Sequence, residues 1–194
     1  MHKTVNDIIV KKGRQKISVV TSYDYAMTTL CDQVDILLVG DSAGMVMLGY
    51  ENTAPVTMDQ MCMFTEAVSN GRQNALIVAD LPNKSYENEI DAVSNSERLI
   101  NAGADAVKLE GRLPDVIRAI VKAGIPVMGH LGLLPQTAKK YTVQGKTEAD
   151  VEILLNDAKV LQEAGVFSIV LEMVTSEATK KITETVSVPT IGIG

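Results

Sequence analysis

Six consecutive apolar runs in this chain each end in an ionisable group. Asp24 follows the first run, Asp41-Ser42 the second and Asp80 the third. Lys108 and Glu110 stand on the fourth, His130 closes the fifth and Glu172 the sixth. A polar residue at any one strand end is ordinary, because loops and helix caps begin there. Six in succession point to a site: if the runs are strands of a closed sheet, their ends face one another. Asp41, Asp80, Glu110 and Glu172 would then repel strongly unless some are protonated or a cation lies among them. All-oxygen donors suit a hard ion such as Mg2+. Zinc suits the set less, since His130 is its one nitrogen donor and neither cysteine is near. A divalent ion held here would polarise a substrate carbonyl and stabilise an enolate formed beside it. Lys108 lies two residues before Glu110, so both side chains point to the same face of an extended strand. On the inside of a closed sheet such a lysine must be paired. It is either a structural partner of Glu110 or a cation that awaits a substrate carboxylate. His130 is open between a core histidine and a pocket histidine.

The elements that must position these groups are written as a repeat: helix, Ala-Gly, short apolar strand. It occurs at Ala102-Gly103, Ala123-Gly124 and Ala164-Gly165, each followed by a nearly continuous apolar run. Glycine just past a helix end takes the left-handed conformation that closes the last turn. Runs that are apolar on both faces need cover on both faces, as in a parallel sheet flanked by helices. The same grammar gives seven strands, near 17–21, 34–40, 75–80, 104–110, 125–130, 166–172 and 188–193. Helix starts are readable at Thr57 with Gln60, at Thr147 with Asp150, and at Pro114 in a first turn. Most of the nine methionines fall on apolar helix stripes and read as core packing.

Strand alternating with helix means an α/β fold with right-handed crossovers. No G-x-G-x-x-G turn follows the first strand, which argues against an open dinucleotide-binding sheet. Polar groups at the carboxyl ends of successive strands argue for a (β/α)8 TIM-type barrel, where active sites occupy that face. The expectation is one domain over 1–194, an incomplete barrel of about seven strands. Composition agrees with a globular protein, at 46% hydrophobic and 22% charged residues. A net charge of −6 with no basic run longer than Lys11-Lys12 or Lys139-Lys140 argues against nucleic acid as a partner. Cys31 and Cys62 lie in apolar, helix-like stretches and read as reduced core thiols. No stretch approaches the ~18 continuous apolar residues of a membrane span, and the first residues are polar. The expected setting is soluble and cytoplasmic, with no membrane contact.

An ordered series of motifs carries a family resemblance. They are Thr21-Ser-Tyr-Asp-Tyr25, Leu38-Val-Gly-Asp-Ser-Ala-Gly-Met45, Leu48-Gly-Tyr50 with Pro55-Val-Thr57, and Val78-Ala-Asp-Leu-Pro82. Gly103-Ala-Asp-Ala-Val-Lys-Leu-Glu-Gly111, Gly124-Ile-Pro-Val-Met-Gly-His-Leu-Gly132, Val143-Gln-Gly-Lys146, Ile169-Val-Leu-Glu172 and Pro189-Thr-Ile-Gly-Ile-Gly194 follow. Over almost the whole chain the series resembles the ketopantoate (3-methyl-2-oxobutanoate) hydroxymethyltransferase family. The resemblance implies a barrel of the phosphoenolpyruvate/isocitrate lyase kind. It also implies transfer of a hydroxymethyl group from 5,10-methylenetetrahydrofolate to 3-methyl-2-oxobutanoate, giving 2-dehydropantoate in pantothenate biosynthesis. By that resemblance Asp41, Asp80 and Glu110 are at the metal, one Mg2+ per subunit. Asp41, Ser42, Asp80, Lys108 and His130 are at the oxo acid, and Glu172 is the acceptor of its C3 proton. The family further suggests a homo-oligomer, a decamer. Departures from the pattern are the absence of a further Gly-rich stretch, eighth strand and closing helices after Gly194. The Cys31–Val34 link and the 136–143 loop are shorter, Asn83-Lys84 replaces an aromatic, and Met173 stands where cysteine is common. Two alternatives stand beside this reading. One is another metal-dependent oxo-acid lyase of the same barrel group. Such lyases carry a cysteine in an active-site loop, which neither Cys31 nor Cys62 supplies. The other is an inactive truncated fragment.

Overall fold

The seven apolar runs are all strands, and one helix, or two between the second and third, separates each from the next. The computed structural model describes residues 2–194. The strands are β1 (Val19–Thr21), β2 (Ile36–Val39), β3 (Leu76–Asp80), β4 (Ala106–Lys108), β5 (Val127–Gly132), β6 (Ser168–Glu172) and β7 (Thr190–Ile193). A short helix α1 (Val5–Ile9) precedes them. Between them run α2 (Tyr25–Cys31), α3 (Ala43–Leu48), α4 (Met58–Gly71), α5 (Glu89–Asn101), α6 (Pro114–Lys122), α7 (Glu148–Ala164) and α8 (Ser176–Thr185). Every neighbouring pair of strands is parallel and the order is sequential from β1 to β7. The result is a nearly closed barrel wrapped by helices. Among the described residues β1 and β7 do not pair. A cavity of about 820 Å3 lies between them, lined by Lys12–Val19, Thr183 and Pro189–Gly192.

The local signals in the sequence act as expected. Thr57 accepts from the amide of Gln60, whose side chain accepts from the Thr57 amide in return, and Thr147 and Asp150 form the same capping box. Each box satisfies two of the amides that a helix start leaves without partners. Pro114 occupies the first turn of α6. Gly103, Gly124 and Gly165 have φ of +106°, +86° and +100°, the left-handed conformation that stops each helix before the next strand.

Side chains alternate between the two faces of each strand, and this divides the core into two layers. One set faces the helices: Leu37, Val39, Ile77, Ala79, Val107, Ile169 and Leu171 pack against Phe64, Val68, Leu99, Ile117, Ile120, Leu155 and Leu161. The other set fills the barrel: Ile36, Leu38, Leu76, Val78, Ala106, Met128, Val170 and Ile191, with Ile8 of α1 buried among them. Each fully buried aliphatic side chain of this kind contributes about 1.5–3 kcal/mol. Continuing the inward parity toward the carboxyl ends brings in Asp80, Lys108, Glu110, His130 and Glu172. The apolar filling of the barrel therefore ends in a layer of ionisable groups.

The methionines correct one expectation. Met61 and Met128 are fully buried and Met58 packs against the core, but Met27, Met45, Met47 and Met63 are exposed. They lie on α2, α3 and α4, where helical periodicity marks a side chain as apolar without fixing what covers it. Leu30 and Val46, on α2 and α3, are also exposed.

Candidate active site

Two strand-to-helix connections and one close backbone passage build the first half of the site. β2 runs into Gly40-Asp41-Ser42, and β3 ends on Asp80 beside it. A Cβ at Gly40 would stand 2.7 Å from Ser42 Oγ and 3.7 Å from Asp80 Oδ2, so the chain passes too close there for a side chain. The amide of Asp41 donates to Asp80 Oδ2 at 3.1 Å, locking the two aspartates together. Asp80 pairs laterally with Lys108 in the β3–β4 register, and Lys108 Nζ donates to Asp80 Oδ1 at 2.8 Å. Lys108 is thus an ion-pair partner of Asp80, not of Glu110, because the neighbouring strand presents its carboxylate directly across.

The second half comes from β4, β5 and β6. His130 Nδ1 lies 3.6 Å from Glu110 Oε1, and His130 Nε2 lies 3.3 Å from Glu172 Oε2. Neither ring nitrogen has a well-aligned hydrogen bond, although both are buried. A buried polar atom without a partner marks a place where another group belongs. The Glu172 side chain keeps 20% of its surface exposed, against 5% for Asp80, Lys108 and Glu110. Gly132, at the end of β5, has φ of +94°, and a Cβ there would stand 2.2 Å from the carbonyl oxygen of Glu172. Glycine is needed for the strand that carries Glu172 to approach.

Three residues that the sequence reading passed over complete the network. Tyr23 shares a 2.8 Å hydrogen bond with Ser42 Oγ. Gln136, buried in the loop after β5, donates from Nε2 to Asp41 Oδ2 at 2.8 Å and from its amide to Glu110 Oε2 at 3.2 Å. Tyr86 donates its hydroxyl to Gln136 Oε1. Gln136 falls in the gap between the motifs ending at Gly132 and beginning at Val143, and an uncharged amide in a loop gives no ionic signal. Asp24, by contrast, does not join the cluster. It caps α2 by accepting from the Met27 amide at 2.8 Å.

The electrostatics follow from crowding acids in a dry place. Burial and the neighbouring Asp80 push Asp41 up to about 7, against the opposing pull of Lys108 and Gln136. Burial pushes Glu110 up to about 8, with Lys108 opposing and Asp41 reinforcing. Burial alone would lower the Lys108 ammonium, but Asp80, Glu110 and Asp41 outweigh it and the lysine stays charged. Burial holds His130 below its ordinary value despite Glu172, so the imidazole is neutral near pH 7. Burial raises the Tyr86 hydroxyl, with Glu110 adding to it, so it remains a donor.

Among the described residues no three His, Cys, Asp or Glu side chains are drawn together as a ready-made metal cage. The donor chemistry nevertheless fits a hard divalent cation. Asp41, Asp80 and Glu110 are neighbouring carboxyls, and burial together with mutual repulsion raises Asp41 and Glu110. Positive charge among them would relieve that repulsion, and their oxygens are the donors such an ion takes. Cys31 and Cys62 lie in α2 and α4, away from this face, and burial raises the Cys62 thiol.

A barrel with its ionisable layer at the carboxyl ends of the strands belongs to a defined structural class. The fold is similar to phosphonopyruvate hydrolase solved with oxalate and Mg2+, with a TM-score of 0.75 at 12% identity. That match covers 98% of this chain and 72% of that one. It is also similar to 2,3-dimethylmalate lyase, a member of the phosphoenolpyruvate mutase/isocitrate lyase superfamily, with a TM-score of 0.70 at 17% identity and the same coverage. At these identities the likeness concerns the fold alone. Sequence similarity goes further. Residues 2–194 match the family model described as ketopantoate hydroxymethyltransferase. The chain is 64% identical to the 3-methyl-2-oxobutanoate hydroxymethyltransferase of Nitrosopumilus maritimus (strain SCM1), over 100% of this chain and 73% of that protein. It is 59% identical to the enzyme of the same name from Cenarchaeum symbiosum (strain A), over 94% of this chain and 72% of that protein. The chain belongs to the ketopantoate hydroxymethyltransferase family.

Proposed function

We propose that the site performs the family's one-carbon transfer: 3-methyl-2-oxobutanoate, 5,10-methylenetetrahydrofolate and water give 2-dehydropantoate and tetrahydrofolate. The observation that carries this reading is the pairing of two unlike halves at the strand ends. A charged, buried Lys108 stands with Asp41 and Asp80 on one side, and a partly exposed Glu172 stands beside neutral His130 on the other.

The oxo acid has a carboxylate, a polarisable carbonyl and a single hydrogen on C3. Lys108 supplies positive charge for the carboxylate and carbonyl end, and Ser42, held by Tyr23, supplies a hydroxyl. Asp41, Asp80 and Glu110 would hold Mg2+, which when bound supplies Lewis-acid polarisation of the carbonyl. Glu172 takes the C3 proton as general base, and its partial exposure lets that proton leave to solvent. His130 Nε2, 3.3 Å from Glu172 Oε2, is close enough to steady the carboxylate once the two groups align. Lys108 stabilises the negative charge that builds on the carbonyl oxygen as the proton leaves. The one-carbon unit exchanges its two bonds to folate nitrogen for a bond to C3 of the enolate and a bond to the oxygen of water. One water proton and, by way of solvent, one proton matching that taken from C3 go to the two nitrogens.

The same reading includes a homo-oligomeric, cytoplasmic enzyme. Apolar side chains exposed on α2, α3 and α4, among them Leu30, Val46 and Met63, support assembly. No helix among the described residues is long and apolar enough to cross a membrane. The test is product formation: 2-dehydropantoate should accumulate only with both substrates and Mg2+ present. Folded protein that yields none under those conditions contradicts the proposal.

A further inference from the structure

We propose that Gln136 is a positioning residue that fixes the carboxyls of Asp41 and Glu110 from outside the metal site and thereby sets affinity for the divalent cation. The inference rests on the metal reading given above. Gln136 belongs to the loop after β5, far in sequence from Asp41, yet it is 5% exposed and sits within the site. Its Nε2 donates to Asp41 Oδ2 at 2.8 Å and to the Leu81 carbonyl at 2.9 Å, and its backbone amide donates to Glu110 Oε2 at 3.2 Å. Among the described residues it is the only one hydrogen-bonded to both of these acids.

The orientation of its amide is not arbitrary. The Leu81 carbonyl can only accept, so the nitrogen must face it. Tyr86 keeps its proton and donates to Oε1 from the opposite side. Both N–H bonds and the carbonyl of Gln136 are therefore committed. The side chain binds the ends of β2 and β3, and the backbone amide binds Glu110 beyond β4, to the loop after β5. Asp41 Oδ2 is engaged by Gln136, which leaves Oδ1 to face another partner in a defined direction. Groups that hold ligand carboxylates in this way change metal affinity by about 10–100-fold when removed. Tyr86 acts mainly one step further out, by fixing Gln136, and its oxygen also accepts from the Glu110 backbone amide at 3.4 Å.

The test is Mn2+ binding, counted by electron paramagnetic resonance of free Mn2+, on the full chain with no substrate. The set is wild type, Asp80→Asn, Gln136→Met, Tyr86→Phe and the Gln136→Met/Tyr86→Phe double variant, each checked by far-UV circular dichroism. Methionine retains the bulk of glutamine without its side-chain donors, so the variant releases Asp41 while the backbone amide still meets Glu110. The expected result is saturable binding by wild type, lost in Asp80→Asn and weakened about 10–100-fold in Gln136→Met. Tyr86→Phe should weaken binding in the wild-type background and have a smaller effect in the Gln136→Met background, the coupling expected when one residue acts chiefly through the other. If Gln136→Met does not fold, loss of affinity in folded Tyr86→Phe supports the inference and unchanged affinity opposes it. Wild-type binding that is lost in Asp80→Asn but kept within twofold in Gln136→Met overturns the role of Gln136 alone. No saturable binding by wild type, or binding unchanged in Asp80→Asn, overturns the metal reading and this inference with it.

Discussion

Replacing Lys108 by methionine tests how the acids at the strand ends coexist. Lys108 and Asp80 are each 5% exposed and 2.8 Å apart, and Asp41 and Glu110 lie in the same network. Removing one partner of a buried ion pair leaves an uncompensated charge and costs about 3–5 kcal/mol. For a chain of this size each kcal/mol lowers the unfolding midpoint by about 2–4 °C, so the expected fall is about 6–20 °C. The deficit should depend on pH. Asp41 and Glu110 sit at about 7 and about 8, above their ordinary values. Between about pH 4 and 8 they bind more protons folded than unfolded, so stability falls as pH rises across that window. Without Lys108 the fall is steeper, and the variant's deficit is larger at pH 8 than at pH 5.5. The assay is thermal and urea unfolding in chelator at both pH values, on wild type, Lys108→Met and Lys108→Met/Asp80→Asn. The double variant, with both charges removed, should recover much of the loss. A single variant as stable as wild type at pH 8, or a double variant no better than the single, refutes the reasoning.

Other consequences are open to measurement. Gly132→Ala forces a side chain into φ of +94° and to 2.2 Å from the Glu172 carbonyl oxygen; it should cost at least about 1–2 kcal/mol in urea unfolding and reduce turnover as β6 shifts. Thr147→Ala removes the capping box of α7 and should cost about 1 kcal/mol in the same assay while turnover stays at the wild-type level. Burial tends to raise Asp32, but amides of Ala75, Gln73 and Asn74 and the Asn74 side chain hold it below its ordinary value. Its stabilisation is therefore present above about pH 4 and lost as pH falls through the lowered value, so Asp32→Asn should be less stable at pH 7 and show a shallower acid limb in a pH series of unfolding midpoints.

The strands were legible because a parallel sheet covered on both faces requires unbroken apolar runs, and this chain marks each run with a capping residue or an Ala-Gly stop. The short helices α1 and α3, of five and six residues, carry no period long enough to read. Five of the seven proposed site residues, Asp80, Lys108, Glu110, His130 and Glu172, continue the inward parity of their strands, so one alternation rule locates them; Asp41 lies two residues past β2, and Ser42 follows it directly. Partners are another matter. Lys108 pairs with Asp80 because the β3–β4 register sets them side by side, and no spacing within one strand reports a register between two. Gln136 and Tyr86 were not read because they are uncharged loop residues whose contacts arise only when the barrel brings distant loops together. Asp24 shows the converse, an ionisable residue in the right place whose hydrogen bonds are those of a helix cap.

The central claim is that Glu172 removes a proton next to a carbonyl held by the opposite half of the site. Exchange of the C3 hydrogen of 3-methyl-2-oxobutanoate for deuterium, followed by proton NMR without any folate, isolates that step. The account predicts exchange that requires Mg2+ and disappears in Glu172→Gln, while Mn2+ binding by that variant stays intact. Exchange that continues in Glu172→Gln, or its absence in folded wild-type protein that binds the metal, would contradict the account.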